Sequence, residues 1–189
     1  MLDVCLLMAR PSVENLIVAS DLGKKLELTK LGTEIPGARY VKGRNSSVMV
    51  ELETNGNTKP AGVIFSNGKA VVVGTKTIKD SRKAMSELKS MIKKVERGIN
   101  SRAGVKIENI VTQFNVGVEL DLDLVNTKIS GCEYQPEKFS GLIIKVKKPE
   151  ATYILFKSGI VVITDIDDEK VADTASKELR KFLREAKII

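Results

Sequence analysis

The chain has 189 residues, enough for one domain or two small ones. It holds no His and no Trp, which excludes histidine-dependent catalysis and any metal site that needs an imidazole. The net charge of +7 sits in the first half: residues 11–100 carry 16 Lys and Arg against 9 Asp and Glu, and residues 101–189 carry 14 of each. A basic half suits a polyanionic partner, and a merely soluble Lys-rich surface gives the same count.

In chain order, Val13 to Ser20 reads as a strand. Lys24 to Ile35 reads as a short helix ended by Pro36-Gly37. Ala38 to Val41 is a short strand. Ser46 to Leu52 alternates Val48, Val50 and Leu52 with other residues, the period of a strand. Ala61 to Ser66 and Lys69 to Lys76 are strands joined by Asn67-Gly68, a hairpin signal in which both turn positions favour positive φ. A helix follows from Lys79 to Arg97, with Ala84, Met85, Leu88, Met91, Ile92 and Val95 on one stripe. Thr77 and Asp80 have the spacing of a capping box. Arg97 to Gly104 is a polar connector.

The second half repeats the order. Strands are expected at Lys106 to Val116, Gly131 to Tyr134, Phe139 to Val146, Ala151 to Phe156 and Ile160 to Thr164. A short helix falls near Glu119 to Thr127, and a last helix at Asp168 to Ala186 has Val171, Ala172, Ala175, Leu179, Phe182 and Leu183 on one face. The likeness extends to the residues themselves. Glu14-Asn15-Leu16-Ile17-Val18 returns as Glu108-Asn109-Ile110-Val111, and Val63-Ile64-Phe65-Ser66-Asn67-Gly68 returns as Ile154-Leu155-Phe156-Lys157-Ser158-Gly159. Two similar repeats are therefore expected, at 11–100 and 101–189. A two-fold pseudosymmetric molecule suits a partner that is itself roughly two-fold, such as a DNA duplex.

No apolar run approaches the ~20 residues of a membrane span. Met1 to Met8 is apolar but lacks the basic start and cleavage site of a secretory signal. Cys5 and Cys132 match no metal or redox spacing and read as reduced thiols of an intracellular protein. Asp121 with Asp123, and Asp165 with Asp167 and Asp168, are the carboxylate clusters. Neither comes with a nucleophile or a metal-ligand set, and no Gly-rich phosphate loop is present, so no enzyme and no cofactor is expected.

Each long helix has one apolar stripe and covers one sheet face. Ala61, Val63 and Phe65 share one side of their strand, as do Val71 with Val73 and Asn15 with Ile17. Their counterparts are Thr152, Ile154 and Phe156, Val162 with Thr164, and Asn109 with Val111. The opposite sides, such as Ile64 with Val72 and Leu155 with Tyr153, are apolar too. Either the protein covers both faces itself, or one face awaits a partner.

The segments around Asn15, Phe65-Ser66-Asn67-Gly68-Lys69, Asn109-Ile110-Val111, Tyr134-Gln135-Pro136-Glu137-Lys138-Phe139 and Phe156-Lys157-Ser158-Gly159 resemble the TATA-box-binding protein family, in order and in both repeats. The resemblance implies an α+β saddle: two pseudosymmetric repeats forming one curved ten-stranded antiparallel sheet, with helices on the convex face and the DNA minor groove against the concave one. It implies a transcription initiation factor that binds A/T-rich promoter DNA. In that groove A·T pairs show only acceptors, and apolar wedges kink base steps; this family is itself the standing example of such kinking. By resemblance the wedges are Phe65, Phe139 and Phe156. The base-edge and floor residues are Asn15, Ile17, Val63, Val71, Val73, Asn109, Val111, Ile154, Val162 and Thr164. Arg44, Lys69, Lys76 and Lys145 fall at phosphate positions. Gln135, Glu137 and Lys138 lie in the loop that meets transcription factor B, and a solvated hairpin loop is the plain alternative there. RNA polymerase machinery is a further implied partner. The compartment implied is the cytoplasm, at the nucleoid of an archaeal cell, a setting the lack of a low-complexity N-terminal tail favours; in a eukaryote it would be the nucleus.

The chain departs from the family pattern at several points. Asn45 stands where a second wedge Phe of the first repeat belongs. Glu51 stands at a phosphate-binding Arg, Ile160 at a Lys, and Asp165-Ile166-Asp167 at a Gly-Ala-Lys run. Added carboxylates near phosphates oppose DNA. Two readings follow: a divergent archaeal-type member or paralogue with altered DNA binding, or a saddle that has lost TATA binding and holds a protein or RNA.

Overall fold

The computed structural model describes residues 10–53 and 59–189; the readings of Met1 to Met8 and of Cys5 concern residues outside that range. The chain divides into two compact units, one of Asn15–Glu108 and one of Asn109–Ile189 with residues 10–14. The first half contributes β1 (Ser12–Asp21), α1 (Leu28–Glu34), β2 (Arg39–Val41), β3 (Ser47–Glu51), β4 (Ala61–Phe65), β5 (Lys69–Thr75) and α2 (Ile78–Val95). The second contributes β6 (Lys106–Asn115), α3 (Leu122–Lys128), β7 (Cys132–Glu133), β8 (Leu142–Lys147), β9 (Glu150–Leu155), β10 (Ile160–Ile166) and α4 (Glu169–Glu185). Strand order is β2-β3-β4-β5-β1 in one unit and β6-β10-β9-β8-β7 in the other, antiparallel at each paired edge within a unit.

Strand alternation and helix period meet on one side of each sheet. Val18, Val48, Val50, Ile64 and Val72 are buried against Ala84, Met85, Leu88 and Ile92 of α2, with Leu28 and Leu31 of α1 beside them. Burying side chains of this size stabilises by about 1.5–3 kcal/mol each. In the second unit Phe114, Leu142, Ile144, Tyr153, Leu155, Val161 and Ile163 are buried, as are Ala172, Ala175, Leu179 and Leu183 of α4. The Tyr153 hydroxyl donates to the Ala175 carbonyl at 3.2 Å, and burial, with Glu178 adding to it, pushes the phenol up to about 12. The Thr77–Asp80 box forms as spaced: Asp80 N–H donates to Thr77 Oγ1 at 3.1 Å, and that hydroxyl donates to Asp80 Oδ2 at 2.6 Å.

The duplication reaches individual backbone bonds. Leu22 N–H donates to Gly68 O and Leu26 N–H to Ser66 O, both at 2.9 Å; Val116 N–H donates to Gly159 O and Leu120 N–H to Lys157 O, also at 2.9 Å. These bonds explain why α1 begins at Leu28 and not at Lys24. The preceding backbone is occupied by the β4–β5 hairpin tip. The hairpin itself differs from the expected turn. Gly68 N–H returns to Phe65 O at 3.1 Å and Gly159 N–H to Phe156 O at 2.9 Å, and of Asn67 and Gly68 only the glycine has positive φ, at 93°. Each loop is thus a three-residue turn closed by a left-handed glycine. Asn67 keeps a role, its Oδ1 accepting from Lys69 N–H at 3.0 Å.

One buried cation sits at matching helix positions. Lys89 Nζ donates to Ala103 O at 2.6 Å, and Ser20 Oγ donates to Gly104 O at 2.8 Å, so the connector is tied to the first unit. Burial lowers the Lys89 pKa. Arg180 instead lies over the Phe114 ring, 4.4 Å from its centroid.

Two further expectations need correction. Phe139 precedes its strand: Lys138 and Phe139 N–H groups both donate to Gln135 O at 2.9 Å, making a turn, and β8 starts at Leu142. Phe182 is not core; it is 38% exposed. It lies with Ile129, Ile144, Val146 and Leu179 around a shallow depression, where α4 overhangs the end of β8.

Candidate nucleic-acid interface

The sheet face opposite the helices is half-exposed in both units. In the first, register aligns Arg39, Met49, Val63, Val71 and Ala19 across five strands, with Glu51, Ala61 and Val73 as the next row. In the second, Glu133, Ile143, Ile154, Val162 and Gln113 align, followed by Lys145, Thr152 and Thr164. Ile17 and Val111 are half-buried between buried neighbours. The proposed floor residues therefore share one face within each unit, and that face is not filled by the unit's own helices. Gln113 joins Asn109 and Val111 on it, as alternation along β6 requires, and Met49 and Ile143 also belong to it and were missed. The alternation that flagged Val48 and Val50 as core also sends Met49 outward.

The two ring sites differ. Phe139 is 43% exposed, and its ring meets Phe156 edge to face, centroids 6.0 Å apart and planes at 72°. Gly141 makes room for it, since a β-carbon there would fall 2.7 Å from Phe139 Cε1. In the first unit Phe65 faces Ser47 across the ladder, and Asn45 is an exposed polar residue. One ring pair and one lone ring result.

Each central Asn is fixed by a bulge. Asn15 Oδ1 accepts the Gly74 N–H at 2.8 Å, and Asn109 Oδ1 accepts the Asp165 N–H at 3.0 Å. Register shifts in β1–β5 and β10–β6 mark both bulges. Gly74 adopts φ 91° and Asp165 φ 60°, a conformation open to glycine and tolerated by Asp. Asn109 Nδ2 also donates to Thr164 Oγ1 at 3.0 Å, and Thr152 Oγ1 donates to Asp165 Oδ2 at 2.7 Å.

The cations are unevenly placed. Arg44, Lys76 and Lys145 are exposed. Lys69 Nζ pairs with Glu108 Oε2 at 3.4 Å beside a cavity of about 460 Å³ that Ala19, Asp21 and Lys106 also line. An ion pair so exposed is worth about 0–1 kcal/mol. The matching second-repeat positions hold half-buried Ile160 and exposed Asp167. Gln135, Glu137 and Lys138 form an exposed turn. The remaining carboxylates cap helices: Asp121 Oδ1 accepts from Leu124 N–H and Asp168 Oδ1 from Lys170 N–H. Cys132 is a free thiol whose pKa burial raises. Among the described residues no cluster could hold a metal ion, and no helix is long and apolar enough to cross a membrane.

The chain is a duplicated α+β fold in which each unit leaves one largely apolar sheet face free of helices. Comparison with known proteins narrows the class. The family model described as "Transcription factor TFIID (or TATA-binding protein, TBP)" matches residues 10–95 and 104–186. The TATA-box-binding protein of Thermococcus celer is 34% identical over 173 residues, covering 92% of this chain and 88% of that protein. That of Methanosphaera stadtmanae is 34% identical over 169 residues, 89% of each chain. The solved structure of Methanococcus jannaschii TBP superposes with a TM-score of 0.77 at 26% identity, over 94% of this chain and 99% of that one. The chain belongs to the TATA-binding protein family, with archaeal relatives. Its α+β fold is the fold of that family, and the family is one of transcription factors, not enzymes.

Proposed function

We propose that this chain is a transcription initiation factor that binds A/T-rich promoter DNA in the minor groove through the bare sheet faces of its two repeats, 11–100 and 101–189. The observation that carries this reading is the matched pair of faces: Met49, Val63 and Val71 in one, Ile143, Ile154 and Val162 in the other, each in register and each half-exposed. A·T pairs expose only acceptors and no amino group in that groove, so an apolar floor with Asn15 and Asn109 as donors fits them. Phe139 with Phe156, and Phe65 alone, act as wedges. Arg44, Lys69, Lys76 and Lys145 meet phosphates. The turn at Gln135, Glu137 and Lys138 is the docking point for transcription factor B, which brings RNA polymerase, and the protein works at the nucleoid.

A gel shift comparing A/T-rich with G/C-rich duplex across salt tests this reading. Binding is expected to favour the A/T-rich duplex and to fall steeply with salt, by several tenfold steps between 50 and 200 mM if about six or more phosphates are contacted. Exposed Glu51 on the face of the first unit and exposed Asp167 just after β10 in the second favour a second reading, in which these faces hold a protein or RNA instead. Equal or absent binding to both duplexes supports that alternative. Under the first reading, Asn45→Phe combined with Glu51→Arg is expected to tighten binding at least tenfold, because it completes the second ring pair and reverses a charge. Unchanged affinity in the double variant would mean these two positions are not what weakens it.

A further inference from the structure

We propose that Asp165 makes the second repeat a reader of the guanine 2-amino group, so that the preferred duplex has a G·C pair under this repeat and A·T pairs under the first. The proposal rests on the minor-groove reading above. Two observations carry it. The first is the placement of the carboxylate. Asp165 occupies the bulge position that Gly74 holds in the first repeat, and Thr152 Oγ1 bonds its Oδ2 at 2.7 Å. Thr152 lies in the row with Lys145 and Thr164 on the helix-free face, so a carboxyl acceptor stands on that face where the first repeat has only a hydrogen atom. The second is the use of the neighbouring donor. Asn109 Nδ2 donates to Thr164 Oγ1 at 3.0 Å; the first-repeat counterpart of Thr164 is Val73, which cannot accept. The second repeat has thus gained an acceptor and engaged one amide proton within the protein.

The minor groove offers acceptors at every pair and a single kind of donor, the guanine amino group. A carboxylate facing adenine N3 or thymine O2 sets acceptor against acceptor, with the phosphate potential adding to the repulsion. Against guanine the same oxygen accepts a charge-assisted hydrogen bond. Lys145, in register with Thr152, supplies a cation close by that eases the approach of the acid to DNA. The first repeat, with Gly74 and Val73, keeps the apolar surface that favours A·T.

The test is a competition binding assay with the full chain on three duplexes: all A·T, the same with a single G·C pair moved through each position, and the same with inosine replacing guanine. Inosine lacks the 2-amino group. Expected is one position, within one half of the site, where G·C binds about tenfold tighter than A·T, with the gain abolished by inosine. Asp165→Gly is expected to reverse the order and favour the all-A·T duplex. Glycine adopts the φ of 60° seen here more readily than Asp, so the variant folds, and an unchanged Tm checks this. A protein that binds the all-A·T duplex and shows no G·C preference at any position, or one whose preference survives Asp165→Gly, overturns the proposal and leaves the DNA reading standing. A protein that binds none of the three overturns both.

Discussion

Under the proposed function, Phe139→Ala is expected to remove most of the bend in bound A/T-rich DNA, and Phe156→Ala to do nearly the same, while Phe65→Ala removes much less. A wedge must open a base step, which costs a few kcal/mol in lost stacking. Two rings in edge contact present a broader, better braced wedge, and such a pair carries about 0.5–1.5 kcal/mol of its own. Phe139 and Phe156 are in that contact at 6.0 Å, and Gly141 leaves room for the Phe139 ring. Phe65 has Ser47 across the ladder and Asn45 where a second ring would be. Fluorescence energy transfer between the duplex ends reads the angle directly. Equal loss from all three variants, or a larger loss from Phe65→Ala, would show that the ring pair is not the main wedge. Phe139 is exposed enough that its removal leaves the fold intact, so the effect on bending is separable from stability.

The largest effects on stability are expected from Gly68→Ala and Gly159→Ala. Each glycine has positive φ, 93° and 82°, and a β-carbon at either would press on a backbone carbonyl oxygen, that of Lys24 or of Val118. A left-handed non-glycine residue costs roughly 1–2 kcal/mol. The carbonyls cannot retreat, because the adjacent Leu22, Leu26, Val116 and Leu120 N–H groups are bonded to the same hairpin tips. A total of about 3 kcal/mol or more per site follows. Gly37 and Gly98 are the controls: both have positive φ and nothing within 4 Å of a built β-carbon, so alanine there should cost only the conformational part. Urea unfolding of the four variants separates the two contributions. If Gly68→Ala and Gly37→Ala lose the same amount, the close approach to Lys24 contributes nothing.

The duplicated order of elements was legible because each repeat carries its own alternation and its own helix stripe, and the same period places Val63, Val71, Ile154 and Val162 on one kind of face. What escaped notice depends on contacts between segments distant in sequence. The start of α1 is set by the hairpin tip that takes the Leu22 and Leu26 N–H groups, not by local propensity. The turn at Asn67-Gly68 is a three-residue loop closed by a left-handed glycine, and the dipeptide alone does not distinguish this from the two-residue turn. Phe182 matches the apolar stripe of α4 by spacing, but the sheet beneath it ends, so it emerges. By spacing alone Asp165 is one acid of a cluster with Asp167 and Asp168. Its bulge comes from the pairing of β10 with β6 and its bond to Thr152 from the pairing of β10 with β9, which no run of consecutive residues displays.

The two asparagines tied at the bulges carry a consequence for the speed of recognition. An amide whose oxygen is already occupied by a main-chain N–H has lost its freedom to swivel, and rotating it would orphan the Gly74 or Asp165 N–H. Holding a side chain still on association ordinarily costs about 0.5–1.5 kcal/mol. Here that ordering is complete in the free protein, so under the proposed function Asn15 and Asn109 would meet a base edge already held in place, with no search among rotamers on encounter.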